Sequence, residues 1–299
     1  MEMILDLLLI GVLRGGTYIL MAMGLGIVFG VMNIPNFAHG EFYMLGAYFG
    51  YFAYTYFNLG PLASIAAAAV GVFVIGAIIE VLLFRPLRSR SKEGTWLMNT
   101  FLLTLGIGII LQNTMKAIFG FTFKGVPEFW SGSMNLLSDM RIPVDRVMGF
   151  VIAIVTVVIF WYFLNNTKTG RAIKAVSEDE VGSQLTGVNL KNIYTLTFAL
   201  SAGLAGVAGS SLLSINSAYP MMGMMPLYKS WFVIILIGMG NVGPIIIGGI
   251  IVGMLETVSY YIFGAGWQNA VSLAVIILIL IFKPEGLFGK KGVKSIWEQ

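Results

Sequence analysis

The residues able to do chemistry are few, and several of them stand together. The stretch NIPNFAHGEFYML, residues 33–45, places Asn33, Asn36, His39 and Glu41 between two long apolar runs, and His39 is the only histidine of the chain. Amides, an imidazole and a carboxylate at this spacing could offer hydrogen bonds to a polar solute. They could equally shape a polar turn. With one histidine and no cysteine, the usual zinc sites and most histidine-based triads are ruled out, and disulfides and thiol chemistry are excluded. GMGNVG (238–243) matches G-x-G-x-x-G by letters but lies between two apolar spans, without a strand–turn–helix context. No G-x-x-x-x-G-K-[ST] occurs in the sequence, so it holds no P-loop for ATP.

The elements that must position these residues follow from composition. Of the 299 residues, 58% are hydrophobic and 11% charged, with mean hydropathy +0.88. A water-soluble domain carries about a quarter charged residues, so this chain has too little polar surface to face water all round. Its apolar runs are near-continuous over lengths that cross a bilayer as helices. The expectation is an all-α integral membrane protein: one polytopic transmembrane domain over residues 1–299, with 8–9 spans, some interrupted. The runs are 4–32, 41–57, 61–84, 97–119, 147–164, 192–216, 227–240, 244–263 and 268–282. The first is too long for a straight span, and 227–240 is short enough for a half-helix. MEMILDLLLIGVLRGG lacks a basic start and a clear cleavage site, and reads as a retained first helix rather than a signal peptide.

Net charge is +4, a sign compatible with nucleic acid. The cations instead concentrate in three linkers, RPLRSRSK (85–92), 168–191 and KPEGLFGKKGVK (283–294). The positive-inside rule makes all three cytoplasmic, and counting spans then puts the N-terminus outside and the C-terminus inside. The 37 glycines fit close helix packing in lipid. Small-xxx-small pairs recur at Gly26–Gly30, Gly46–Gly50, Gly249–Gly253, Ala202–Gly206 and Ala205–Gly209. VMNIPNF (31–37) and MGNVGPI (239–245) share Asn then Pro after glycine-rich apolar sequence, as paired broken helices of a transporter would.

Two further patterns bear on function. Residues 169–187 read as short helix, turn, short helix, with Ala172, Ile173, Val176, Val181 and Leu185 at apolar helical spacing. Such a face needs a partner surface, and docking of a second protein is expected there. Glu256 lies deep in an apolar run, where an ionised group costs at least about 2.5 kcal/mol and marks a functional candidate. Gln112 and Asn113 could bond across helices or face a path, and Glu80 can pair with nearby Arg85.

Taken together, NIPNFAHGEFYMLGAY, TLGIGIILQN (104–113), TKTGRAIKAVSEDEVGSQLTGV (167–188), ALSAGLAGVAGSSLL (199–213), GMGNVGPIIIGGIIVGMLE (238–256) and KPEGLFG (283–289) resemble, in order and over nearly the whole chain, the branched-chain amino-acid ABC importer permeases of LivH type. The resemblance implies a non-enzymatic, cofactor-free subunit of the bacterial inner membrane. Its implied partners are a second permease subunit, two cytoplasmic ATPase subunits and a periplasmic or extracellular substrate-binding protein, without nucleic acid. It places Gly170, Arg171, Glu178 and Gly187 in the loop that couples to the ATPase. Asn33, Asn36, His39, Gln112, Asn113 and Glu256 are the candidates for the translocation path. Pro35 and Lys283 depart from the family's usual residues. A permease for urea, short amides or another small polar solute, an autonomous secondary transporter, and a structural scaffold are the competing expectations.

Overall fold

A computed structural model describes residues 2–91, 94–135 and 141–289. Parts of the basic linker 85–92 and of the tail 283–294 named above therefore lie outside the described residues. The helices are α1 (Glu2–Met32), α2 (His39–Thr55), α3 (Pro61–Ile79), α4 (Arg85–Arg90), α5 (Trp96–Phe119), α6 (Val144–Asn166), α7 (Lys168–Glu178), α8 (Glu180–Leu185), α9 (Leu190–Ser211), α10 (Met224–Ile237), α11 (Ile245–Phe263) and α12 (Gln268–Phe282). A hairpin of β1 (Ser133–Asn135) and β2 (Arg141–Pro143) precedes α6. Among the described residues, six helices are long and apolar enough to cross a membrane, and α10 and α12 are shorter apolar helices.

α3 and α4 form one 30-residue rod joined by a π-helical turn, Glu80–Phe84. Pro86 has no N–H to give the preceding turn, and the ladder shifts so that Arg85 N–H donates to the Glu80 carbonyl. Polar caps start the next helices: Thr167 for α7, Asp179 for α8 and Asn189 for α9.

α1 and α9 form the centre. Their membrane-length windows are each 78% buried, against 17% for α5. Packing follows the small residues, because apolar burial does not drive helices together in lipid. Gly15 and Gly11 of α1 meet Gly249 and Gly253 of α11 at backbone contact, and Gly46 of α2 meets Gly206 of α9. A Cβ built on Gly46 would lie 2.5 Å from the Gly206 Cα, so no side chain fits there. The expected pairs Gly46–Gly50, Ala205–Gly209 and Gly249–Gly253 thus lie in helix seams, as does the Gly11–Gly15 pair, whose segment also carries Arg14.

α10 is short because its N-terminus starts inside the bundle. The linker after α9 pairs Ala218 with Lys124, then brings Gly223 against the backbone of Gly40 in the first turn of α2. At its other end, Gly238 (φ +102°) ends α10, and the segment after α12 folds back onto it. Leu287 N–H donates to the Leu236 carbonyl (2.7 Å), Phe288 N–H to the Ile237 carbonyl (3.2 Å), and Asn241 Nδ2 to the Phe288 carbonyl (3.1 Å). The KPEGLFG motif therefore satisfies helix-end carbonyls that would otherwise lack partners.

Candidate functional site

The break after α1 is built by Asn33, whose φ of +55° gives the left-handed turn that ends a helix and that asparagine tolerates. Asn36 then closes a local turn, its Oδ1 accepting from Ala38 N–H (3.1 Å). The loop is pinned from α5, where Trp96 Nε1 donates to the Met32 carbonyl (3.1 Å) and Thr104 Oγ1 to the Pro35 carbonyl (3.2 Å). Phe37 stacks on Trp231 of α10, with centroids 5.4 Å apart, and meets Phe101 of α5 edge-on.

His39 is fully buried. Its Nε2 donates to the Met21 carbonyl (3.0 Å), and its Nδ1 accepts from Ser201 Oγ (3.4 Å), so one ring ties α2 to both central helices. Gly24 leaves room for that ring. Met21 and Gly24 lie 8–11 residues before the end of α1, roughly 12–16 Å back along the helix at 1.5 Å per residue. The chain therefore re-enters after Asn33, and α2 starts within the bundle. A simple surface turn would not do this. Asn33 is exposed, Asn36 is fully buried, and the other break, at 238–244, lies alongside: Gly30 is within 3.4 Å of the Gly240 carbonyl oxygen, measured from a built Cβ.

The remaining path candidates fall on two other surfaces. Gln112 is half-buried on α5 and accepts from Lys116 Nζ (3.2 Å), while Asn113 is exposed and turns its amide back to the Ile109 carbonyl (2.8 Å). Glu256, 5% exposed, sits where α1, α10, α11 and α12 meet. Tyr18 Oη and Gln268 Nε2 donate to its carboxylate, and the Lys229 ammonium (3.6 Å) and Arg14 guanidinium (3.9 Å) surround it. The structure does not bring Glu256 into contact with the 33–39 break. Its partners were not singled out from sequence, although Lys229 and Arg14 are themselves charges inside apolar runs and could have been.

Between α6 and α9 the chain makes the α7–α8 excursion. Gly170 is buried against the α6 backbone, where a Cβ would lie 2.6 Å from the Leu164 Cα, and Thr167 accepts from its N–H (2.9 Å). Ile173 and Val176 are buried by α6, α1 and α9, so the spanning helices supply the partner surface expected from another protein. Val181 and Leu185 of α8 are different, at 67% and 84% exposed. Arg171, Glu178 and Gly187 are exposed as well, Gly187 with φ +89° at the end of α8. Beside α8 opens a cleft of about 410 Å³ bordered by Arg88, Glu180, Gln184, Lys191 and Tyr194. Arg88 lies 4.0 Å from the Tyr194 ring centroid and pairs with Glu80, which is fully buried and also bonded to Thr195. Glu80 thus serves as a tie between α4 and α9.

These features define a class: a polytopic helical membrane protein with re-entrant helix starts in its interior and a two-helix excursion carrying uncovered apolar residues. Residues 7–281 match the family model described as the permease component of the branched-chain amino acid transport system, and the chain belongs to that family. It is 29% identical to the high-affinity branched-chain amino acid transport system permease protein BraD of Pseudomonas aeruginosa, covering 96% of each chain. The permease LivH of Escherichia coli K12 is also 29% identical over 96% of each chain. LivM of the same organism is 26% identical, over 90% of this chain and 67% of that one.

Proposed function

We propose that this chain forms half of the translocation pathway of a binding-protein-dependent ABC importer that admits branched-chain or similarly hydrophobic amino acids. The family match over residues 7–281 carries this reading. On it, the chain pairs with a second, related permease subunit or a second copy. Two ATPase subunits dock below and a delivery protein docks above. Nine helices cross the cytoplasmic membrane (α1, α2, α3–α4, α5, α6, α9, α10, α11 and α12), with the N-terminus outside and the C-terminus inside. The basic residues of α4 and of the α7–α8 excursion support that orientation.

ATP hydrolysis resides in the partner subunits, and this chain supplies states that face each side in turn. The ATPase grips α7–α8: Val181 and Leu185 enter its surface, Arg171 and Glu178 border the contact, Gly187 permits the turn after α8, and Gly170 transmits movement by its seat on α6. Of the path candidates, Asn33, Gln112 and Asn113 face the passage or the partner subunit, while Asn36, His39 and Glu256 hold its walls in place. Glu256, a candidate for an ion-coupling group in an autonomous carrier, is committed to four partners inside the subunit. That commitment supports a structural tie.

Uptake by the complete complex in proteoliposomes tests the substrate. ATP-dependent accumulation of labelled leucine, isoleucine or valine, competed by one another and not by urea or acetamide, is the expected result. Accumulation of urea or a short amide in their place would replace the substrate assignment.

A further inference from the structure

α10 carries an open stripe at a depth that restricts what can face it. Met221, in the turn before the helix, and Met224, Met225 and Tyr228 follow at i, i+3, i+4 and i+7, so they share one face. All four are 39–53% exposed, whereas Lys229, Ser230, Val233 and Ile234 on the opposite side are buried. The depth follows from packing. Gly223 meets the backbone of Gly40, next to His39, and His39 is bonded to Ser201, ten positions before the end of α9 at Ser211. At 1.5 Å per residue, the start of α10 lies roughly 15 Å back from that end, well inside a hydrocarbon layer about 30 Å thick. Residues 212–223 cover this distance without a helix.

Irregular backbone at such depth persists only where protein covers it or where it lines water. Leu213, Ala218, Pro220 and Met222 of this segment are covered by the bundle, but Met221 is open. The second irregular segment borders the same helix: Phe37, in the break 33–38, stacks on Trp231, three residues beyond Tyr228, and Asn33 of that break is exposed. Both breaks therefore flank the α10 stripe, one at each end. Residue types agree with a surface that does not meet lipid. The open positions of α3 and α6 include Val70, Val74 and Ile78, and Val151, Val155 and Val158, the aliphatic residues that hydrocarbon favours. Three methionines and a tyrosine stand on α10 instead. Unbranched thioethers repack around apolar groups of different shape, as surfaces with several ligands require.

Resting on the amino-acid permease reading above, we propose that Met221, Met224, Met225 and Tyr228 form the wall along which the aliphatic side chain of the passing amino acid travels. The thioethers are then specificity-determining: they accept branched side chains of several shapes and give little hold to solutes without an apolar group.

The chain has no cysteine, so single replacements can be labelled in place. M224C and M225C, and V155C on α6 for comparison, are treated in proteoliposomes of the complete complex with a cationic, water-soluble methanethiosulfonate. Modification is read from the mass of this subunit. The expected result is modification of M224C and M225C but not of V155C, slowed by leucine, with a fall of at least tenfold in leucine uptake once modified. M221C stands in if either variant fails to assemble. Exclusion of the reagent from these positions in assembled complexes overturns the proposal, whether lipid or the second permease covers them. A second measurement tests specificity: M224A/M225A should change the ratio of leucine to alanine uptake at least fivefold, and an unaltered ratio overturns the role of the thioethers. A wild-type complex that moves no amino acid overturns the reading beneath.

Discussion

Glu256 shows what an ionisable group must do to sit in lipid. Its carboxylate takes hydrogen bonds from Tyr18 and Gln268 and is flanked by Lys229 and Arg14, from three other helices. Removing one member of a buried ion pair typically costs 3–5 kcal/mol, because the charge left behind has no solvent to return to, whereas replacing both can be nearly neutral. Glu256→Leu should therefore lower the thermal unfolding midpoint of the detergent-solubilised protein sharply, since Lys229 is 2% exposed. Adding Lys229→Met should recover much of the loss, leaving only the partly exposed Arg14 to find water. Equal midpoints for the single and double variants would show that Lys229 is not what Glu256 neutralises. From the sequence, Glu256 stands out as a lone acid in an apolar run. Tyr18, 238 positions away, does not, because spacing carries no information about which helices touch. His39 is legible as rare, but its two bonds to α1 and α9 depend on how distant helices pack.

At the scale of elements, the α7–α8 excursion and the glycine seams give opposite expectations for neighbouring substitutions. Val181 and Leu185 face outward, so Val181→Asp with Leu185→Asp should leave the subunit folded and assembled with its permease partner. The same pair should weaken ATPase co-purification and lower ATP-driven uptake at least tenfold. Full uptake would remove α8 as the grip. Gly170→Leu should instead reduce the yield of folded protein, since its Cβ would press into the α6 backbone. On α9, Gly209→Leu should do the same, because a Cβ there collides with the Tyr43 carbonyl of α2. The measurement in both cases is the monodisperse fraction by size exclusion. The helical runs were readable from hydropathy, and the seams from small-xxx-small spacing. Two things were not. The burial of Ile173 and Val176 within the subunit depends on α7 folding back against α6, and an amphipathic pattern does not say whose surface covers it. The role of KPEGLFG in closing the end of α10 depends on backbone N–H groups, which no residue type announces.

At the scale of the molecule, two helices start inside the bundle. α2 begins beside Met21 and Gly24 of α1, and α10 begins against Gly40, so both N-terminal ends meet near one level. Of the two interrupted stretches that look alike in sequence, the second packs, at Gly240, against Gly30, the residue just before the first. Around the buried pair α1 and α9, the loosely packed α5 leaves a flank for a second subunit. This arrangement can give a hinged wall, yet the sequence holds no nucleotide-binding loop to drive it. The claim on which the rest depends is that the chain gates passage and a partner provides the energy. The most direct measurement compares labelled-leucine accumulation in proteoliposomes holding this subunit alone with those holding it together with its second permease, ATPases and delivery protein. Uphill accumulation only in the complete set, and only with ATP, is the expected result. Concentrative uptake by the subunit alone, driven by a proton or sodium gradient, would contradict it.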